Sequence, residues 1–369
     1  MKILHLNAGN ETGGGMYHIL SLLETFNRDE FVLGVLEKGE LWERANKVGI
    51  KTVHFSHKVK VSIPLLRKMK CYLESEQISY VHTHGPRANV YANILKKMTP
   101  FQWIVTIHSD PSLDFLEKGV LGNWLTRINM HAIKNADRFI TVSEPLRTGL
   151  IERGITDNKI TTAWNGIDFQ MRNEAVYSKQ DFGFAEDDFV FLMVARLEPV
   201  KGHEIAIRAF AEILKVKRNC QLMLLGEGSL QEKLVEMVKG LRIENHVHFL
   251  GHRHDTELFY RLADITLLTS FSEGFPLVLL ESAREKTPVI TTDVGSVDQL
   301  IIHQSLGWKV KPGNTNEIIQ AMKEAIFCDG KGELARVGDQ LYAFASARFS
   351  LDTFAENIYN VYLSIEDTN

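Results

Sequence analysis

Two carboxylates, Glu273 and Glu281, bracket the turn Gly274-Phe275-Pro276 with seven residues between them. A buried strand ending at Thr269 feeds a loop of small residues, and Pro276 suits a first helical turn because its missing N–H costs nothing there. Backbone N–H groups near Gly274, Phe275 and Leu277 would then point out of a helix N-terminus. They offer unpaired donors and a favourable dipole to phosphate oxygens or hydroxyls. Carboxylates accept hydrogen bonds from paired hydroxyls, so Glu273 in the loop and Glu281 in the helix suit a sugar ring and a ribose diol.

A second cluster lies upstream in Val194-Ala195-Arg196-Leu197-Glu198-Pro199-Val200-Lys201-Gly202, after a strand and before a helical stretch from His203. Arg196 as a fork and Lys201 as a point charge can converge on one anion. Near the start, Gly9-Asn10-Glu11-Thr12-Gly13-Gly14-Gly15 joins a strand to a helix beginning near Met16. Its backbone can approach a phosphate closely, although it matches neither a Walker A loop nor a dinucleotide fingerprint. His108 ends the run Trp103-Ile104-Val105-Thr106-Ile107, and His84 ends a strand next to it. His246, His248, His252 and His254 form a dense run without a cysteine, which argues against zinc.

Short apolar runs alternate with amphipathic stretches along the chain, the pattern of parallel sheets covered by helices. Candidate strands in the first half are residues 2–6, 31–36, 51–55, 80–83, 103–107, 138–142 and 160–163. In the second half they are 189–194, 221–225, 247–250, 265–269 and 289–292. The 369 residues exceed what one core usually organises. We therefore expect two doubly wound α/β domains, 1–168 and 169–349, joined where the periodicity weakens and acidic residues gather. Residues 350–369 carry Phe354, Ile358, Val361, Tyr362 and Ile365 at helical spacing and should pack back on the first domain. In open sheets ligands sit at the carboxyl ends of the strands.

The strand, Ser-Glu-Gly-Phe-Pro turn and helix ending in Glu281 resemble the Glu-x7-Glu motif of the retaining glycosyltransferase family 4. The resemblance extends over nearly the whole chain, including Asp137-Arg138-Phe139-Ile140-Thr141-Val142-Ser143 and Asn165-Gly166-Ile167-Asp168. It implies a GT-B fold, two Rossmann-like domains facing across a cleft. It further implies transfer of a sugar from a nucleoside-diphosphate sugar, UDP-linked by preference, to an acceptor hydroxyl with retention and without a metal or other cofactor.

Under this resemblance His108, Arg196, Lys201 and Glu273 are the catalytic set. Gly14, Gly15, Gly251, Gly274, Phe275, Pro276, Leu277 and Glu281 join Arg196, Lys201 and Glu273 around the donor, and Gly13 and His84 lie on the acceptor side. Arg196 and Lys201 would stabilise the departing diphosphate, and the strand-loop ending in Gly251 would line the base pocket. One departure stands out: after Val289-Ile290-Thr291-Thr292-Asp293-Val294 the family's usual glutamate is replaced by Gln299 in Gly295-Ser296-Val297-Asp298-Gln299.

The net charge of −4 gives no basic field for nucleic acid. Cys71, Cys220 and Cys328 are odd in number and far apart, so they suit a reducing compartment and are expected to bury as small apolar side chains. No stretch is long and apolar enough to span a bilayer, so a cytoplasmic location is expected, at most peripheral to the inner membrane face. Lys58, Lys60, Arg67, Lys68 and Lys70, mixed with apolar residues, could dock on anionic lipid and equally form a solvated helix face. The expected acceptor is a glycan or a lipid-linked acceptor in cell-surface polysaccharide or glycolipid synthesis. A GT-B epimerase or phosphorylase and a noncatalytic partner subunit are the competing readings.

Overall fold

The computed structural model describes residues 1–11, 13–26, 29–56, 62–111, 119–170 and 175–366, and divides into two compact units. The first comprises Met1–Gly166 and Leu351–Asn369, the second Ile167–Ser350.

In the first unit seven strands form one parallel sheet. They are β1 (Ile3–Asn7), β2 (Phe31–Val35), β3 (Thr52–His54), β4 (Tyr80–His84), β5 (Gln102–Ile107), β6 (Arg138–Thr141) and β7 (Ile160–Thr162). Their order is β3-β2-β1-β4-β5-β6-β7, so the winding reverses between β1 and β4. Side chains alternate faces along each strand, and both faces are buried. Leu4, Leu6, Val81, Trp103 and Val105 pack under helices Ile63–Ser75 and Pro86–Leu95. Ile3, Tyr80 and Ile104 pack on the other face, where helices Gly14–Thr25 and Leu351–Glu366 close the core through Ile19, Leu22, Phe354, Ile358 and Tyr362.

The second unit has its own parallel sheet: β8 (Phe189–Val194), β9 (Cys220–Leu225), β10 (Val247–Phe249), β11 (Ile265–Leu268), β12 (Val289–Thr292) and β13 (Trp308–Val310). The order is β10-β9-β8-β11-β12-β13, again with one reversal, here between β8 and β11. The apolar runs of β8, β9 and β11 are buried on both faces, against helices His203–Leu214 and Thr315–Gly330 on one side and Thr256–Leu262 on the other.

Twelve strands fall on the expected runs, and the thirteenth, β13, was not foreseen. The cysteine expectation needs correction. Cys220 is buried, but Cys71 is exposed on helix Ile63–Ser75 and Cys328 is half-buried. All three are unpaired thiols. No helix among the described residues is long and apolar enough to cross a membrane.

Candidate active site

In the second unit the loops leaving β8, β9, β10, β11 and β12 are laced together at the carboxyl edge of the sheet. Phe271 N–H donates to the Val200 carbonyl at 2.8 Å, and the Thr269 hydroxyl reaches the Gly202 carbonyl at 3.0 Å. Gly202 (φ +69°) lies so near that a Cβ there would stand 2.1 Å from the Thr269 oxygen. Leu197 N–H donates to Glu227 O at 2.9 Å, and Gly226 N–H to Gly251 O at 2.8 Å, which ties in the loops after β9 and β10. On the other side the Thr292 hydroxyl donates to Ser270 O at 2.6 Å and Ser296 N–H to Gly274 O at 3.1 Å.

This lacing places Lys201 against Glu273. The Lys201 ammonium donates to Glu273 Oε1 at 2.6 Å, and the Ser270 hydroxyl donates to the same oxygen at 2.6 Å. Both charged side chains are largely buried, 19% and 12% exposed, so the pair is held rather than solvated. Arg196 is exposed, and among the described residues its guanidinium makes no ion pair, which leaves its fork for an anion. His203 opens the helix after Lys201. Its pKa is lowered to about 4, chiefly by burial and secondarily by the Lys201 charge, so the ring is neutral.

Helix Leu277–Arg284 starts after Pro276 as N-cap, with no side chain capping it. In its first turn Leu279 N–H donates to the Pro276 carbonyl at 3.1 Å, and Gly274 N–H bonds to no described group. The Phe275 ring is 6% exposed and packs on Phe349 at 5.0 Å, so it anchors the turn. Glu281 accepts from the buried Tyr260 hydroxyl at 3.1 Å, and burial raises its pKa. Gln299 turns to Asp298 at 3.2 Å. His246 and His248 are spoken for by the Cys220 carbonyl and Gln221 at 3.0 Å each.

In the first unit the winding reversal brings together the carboxyl ends of β1, β4 and β5. His84 and His108 share a hydrogen bond, Nδ1 to Nε2, at 3.1 Å. A cavity of about 100 Å³ is lined by His108, Glu11, Gly85, Asn89 and Thr106 among others. Gly13 (φ +70°) caps helix Gly14–Thr25, and a Cβ at Gly13 or Gly14 would meet open space. At Gly15 a Cβ would instead stand 2.2 Å from Glu11 Oε1. The Glu11 carboxylate, held by Asn7 Nδ2 at 2.7 Å, thus lies over the glycine loop. Three buried histidines join the pair: His5, His82 and His18. Burial lowers His5 to about 3 and His18 to about 4, and puts His82, His84 and His108 well below the ordinary imidazole value, so all five are neutral at pH 7.

A family profile described as "Glycosyltransferase Family 4" matches residues 12–170, and one described as "Glycosyl transferases group 1" matches 177–338. The chain belongs to the family 4 glycosyltransferases. Among its relatives is the N-acetyl-alpha-D-glucosaminyl L-malate synthase of Bacillus anthracis, 27% identical over 74% of this chain and 73% of that protein. An uncharacterised glycosyltransferase of Methanocaldococcus jannaschii, MJ1178, is 26% identical over 96% and 95%. Among solved structures, Anabaena Alr3699/HepE in complex with UDP superposes with a TM-score of 0.86 at 22% identity, covering 99% of this chain and 100% of that one. The fold of this glycosyltransferase is therefore GT-B.

The residues singled out from the sequence of this glycosyltransferase separate into two groups. Arg196, Lys201, Gly251, Glu273, Gly274, Phe275, Pro276, Leu277 and Glu281 belong to the second unit, with Lys201 and Glu273 in contact. Gly13, Gly14, Gly15, His84 and His108 belong to the first. Glu11, Ser270, Gly295, His5, His18, His82 and Tyr362 were missed. A signal existed for the histidines, since a polar residue inside an otherwise apolar buried strand needs a partner. Arg67, Lys68 and Lys70 lie on helix Ile63–Ser75, whose Ser62 N-cap accepts from Leu65 N–H at 3.3 Å, while Lys58 and Lys60 lie outside the described residues.

Proposed function

We propose that this glycosyltransferase moves a hexose from UDP to an acceptor hydroxyl with retention of the anomeric configuration and without a metal ion. The observation that carries the reading is the Lys201–Glu273–Ser270 cluster, together with an exposed Arg196 that makes no ion pair among the described residues and a helix start after Pro276 that no side chain caps. Charge developing on the leaving diphosphate is offset by Lys201 and Arg196, work that a divalent ion does in other enzymes. Glu273 orients Lys201 and with Glu281 accepts from donor hydroxyls. The β-phosphate oxygen takes the acceptor proton as the glycosidic bond to UDP breaks and the new C–O bond forms on the same face. His108 offers a neutral imidazole to a sugar hydroxyl. UDP is preferred because HepE was crystallised with UDP, with UDP-glucose, and with UDP and glucose.

The acceptor is assigned to cell-surface polysaccharide or glycolipid synthesis. An anionic membrane face is met by Arg67, Lys68 and Lys70 on the helix that the exposed Ile63 opens. A thermal-shift screen of nucleotide sugars tests the donor. Saturation near 100 times Kd should stabilise the protein by about 2.7 kcal/mol with a UDP-hexose. The product's anomeric configuration by NMR tests retention, and activity in EDTA tests metal independence. Absence of any nucleotide-sugar shift, or formation of an epimer from donor alone, sinks the proposal.

A further inference from the structure

Four histidines, Tyr362 and Thr106 of the first unit form one continuous hydrogen-bonded line. His108 Nε2 meets His84 Nδ1 at 3.1 Å, and His84 Nε2 meets His5 Nδ1 at 3.0 Å. His5 Nε2 meets the Tyr362 hydroxyl at 3.2 Å, which meets His82 Nδ1 at 2.7 Å, and His82 Nε2 meets Thr106 Oγ1 at 2.6 Å. Strand register builds this line, because His5 pairs with His82, and His84 sits beside Asn7 on one side and Thr106 on the other. All of it lies on the face covered by helix Leu351–Glu366, which supplies Tyr362.

A neutral imidazole carries one N–H and one bare nitrogen, so each ring that donates to one neighbour must accept from the other. Tyr362 transmits the same rule. Were its oxygen to accept from both His5 and His82, its own hydrogen would be buried with no acceptor, at a cost of about 1–3 kcal/mol. The line therefore has two states only. Either His108, His84, His5 and His82 all carry the proton on Nε2, or all four carry it on Nδ1.

We propose that Tyr362 is a positioning residue for sugar transfer: through His5 and His84 it locks the tautomer of His108 to that of His82 and its partner Thr106. This rests on the reading that His108 faces a sugar. The Nδ1 of His108 is then held uniformly as a donor or uniformly as an acceptor, a distinction that a hydroxyl of defined orientation can use. A metal site is the competing use of these rings, since His18, His84 and His108 bring ligand nitrogens within 4.8 Å of one another, and buried His18 Nε2 has no partner. The His84–His108 bond opposes it, because an ion there must expel the shared proton.

Long-range ¹H–¹⁵N spectra of the histidine-labelled full-length protein read the tautomers without any reaction. The wild type should show His5, His82, His84 and His108 in one common tautomer, and a mixed set overturns the proposal. In Tyr362→Phe the tautomer of His82 should uncouple from the other three, and kcat should fall about 10-fold with donor KM within about two-fold. Tyr359→Phe, on the same helix but off the line, should leave both constants unchanged. Unchanged kcat in Tyr362→Phe, equal losses in the two variants, or one tightly bound zinc per wild-type chain each overturn it. His108→Ala separates the two claims. If it transfers at the wild-type rate, the reading of His108 fails even where the common tautomer is found.

Discussion

Gly295 follows β12 with φ +61°, and a Cβ built on it would stand 2.1 Å from the Gly274 carbonyl oxygen and 2.7 Å from that of Glu273. Gly295→Ala therefore carries two costs. The left-handed backbone costs about 1–2 kcal/mol for any side chain, and the overlap demands a shift of roughly 1 Å before ordinary contact is restored, worth about 1–3 kcal/mol as overpacking. What must move is the turn between Glu273 and the start of helix Leu277–Arg284, since Ser296 N–H holds the same Gly274 oxygen. A misplacement of about 1 Å in a positioned group can cost about 10²-fold in rate. Gly332→Ala supplies the control, because Gly332 has φ +69° with open space where a Cβ would go. Calorimetric titration with UDP, kcat/KM for the UDP-hexose found in the screen, and thermal melts should be run on both. Gly332→Ala should lose only the backbone term and keep full activity. Gly295→Ala should melt lower still and lose about 10²-fold in kcat/KM. Equal melting and equal UDP affinity in the two variants would refute the claim that this contact sets the Glu273 turn.

Lys201→Ala should cost about 10²–10³ in kcat/KM, the scale of one lost transition-state donor, with melting also lowered because Glu273 is left largely buried with Ser270 as its remaining side-chain partner. Adding Glu273→Gln should recover stability but not activity, by double-mutant cycle. Glu281→Gln should weaken UDP affinity measured by calorimetry. Because burial raises the folded pKa of Glu281, its ionisation lowers stability as pH rises through that raised value, and the glutamine variant should flatten the melting profile there. The five neutral imidazoles act in the opposite sense. Unfolding lets them take protons below their ordinary 6.5, so the first unit should lose stability as pH falls from there toward about 4 for His18 and about 3 for His5. Each contributes about 1.4 kcal/mol per pH unit, and hydrogen exchange should show the first unit opening before the second. Neutralising Lys58, Lys60, Lys68 and Lys70 together should reduce sedimentation with anionic vesicles, and unchanged binding would refute the membrane face.

The strands were legible because parallel sheets buried on both faces read as short apolar runs, and β8 as Phe-Val-Phe-Leu-Met-Val leaves little alternative. β13 escaped because it is a three-residue edge strand with an exposed lysine at its centre, Lys309. The second-unit site was readable because Arg196, Lys201, Glu273 and Glu281 lie in two contiguous segments. The first-unit network was not, since His5, His82, Thr106 and Tyr362 are scattered over the chain and meet only through strand register and a returning helix. Glu11 was hidden by its own loop, where the glycines suggested space for a phosphate and the structure puts a carboxylate. Gly295 looked like part of a departure from family pattern, and only the distance to Gly274 shows what it supports.

Helix Leu351–Glu366 completes the first unit although the whole second unit is synthesised before it. Domains usually fold as units during synthesis, the N-terminal one first. Here residues 1–166 leave the ribosome with one sheet face covered only in part, by helix Gly14–Thr25, and the Tyr362 link in the histidine line is still to be made when the second unit is already folding. The first unit is thus a late-closing structure. A truncation before Leu351 should leave the second unit intact while exposing Ile3, Ile19, Leu22 and Tyr80 to chaperones, proteases or aggregation.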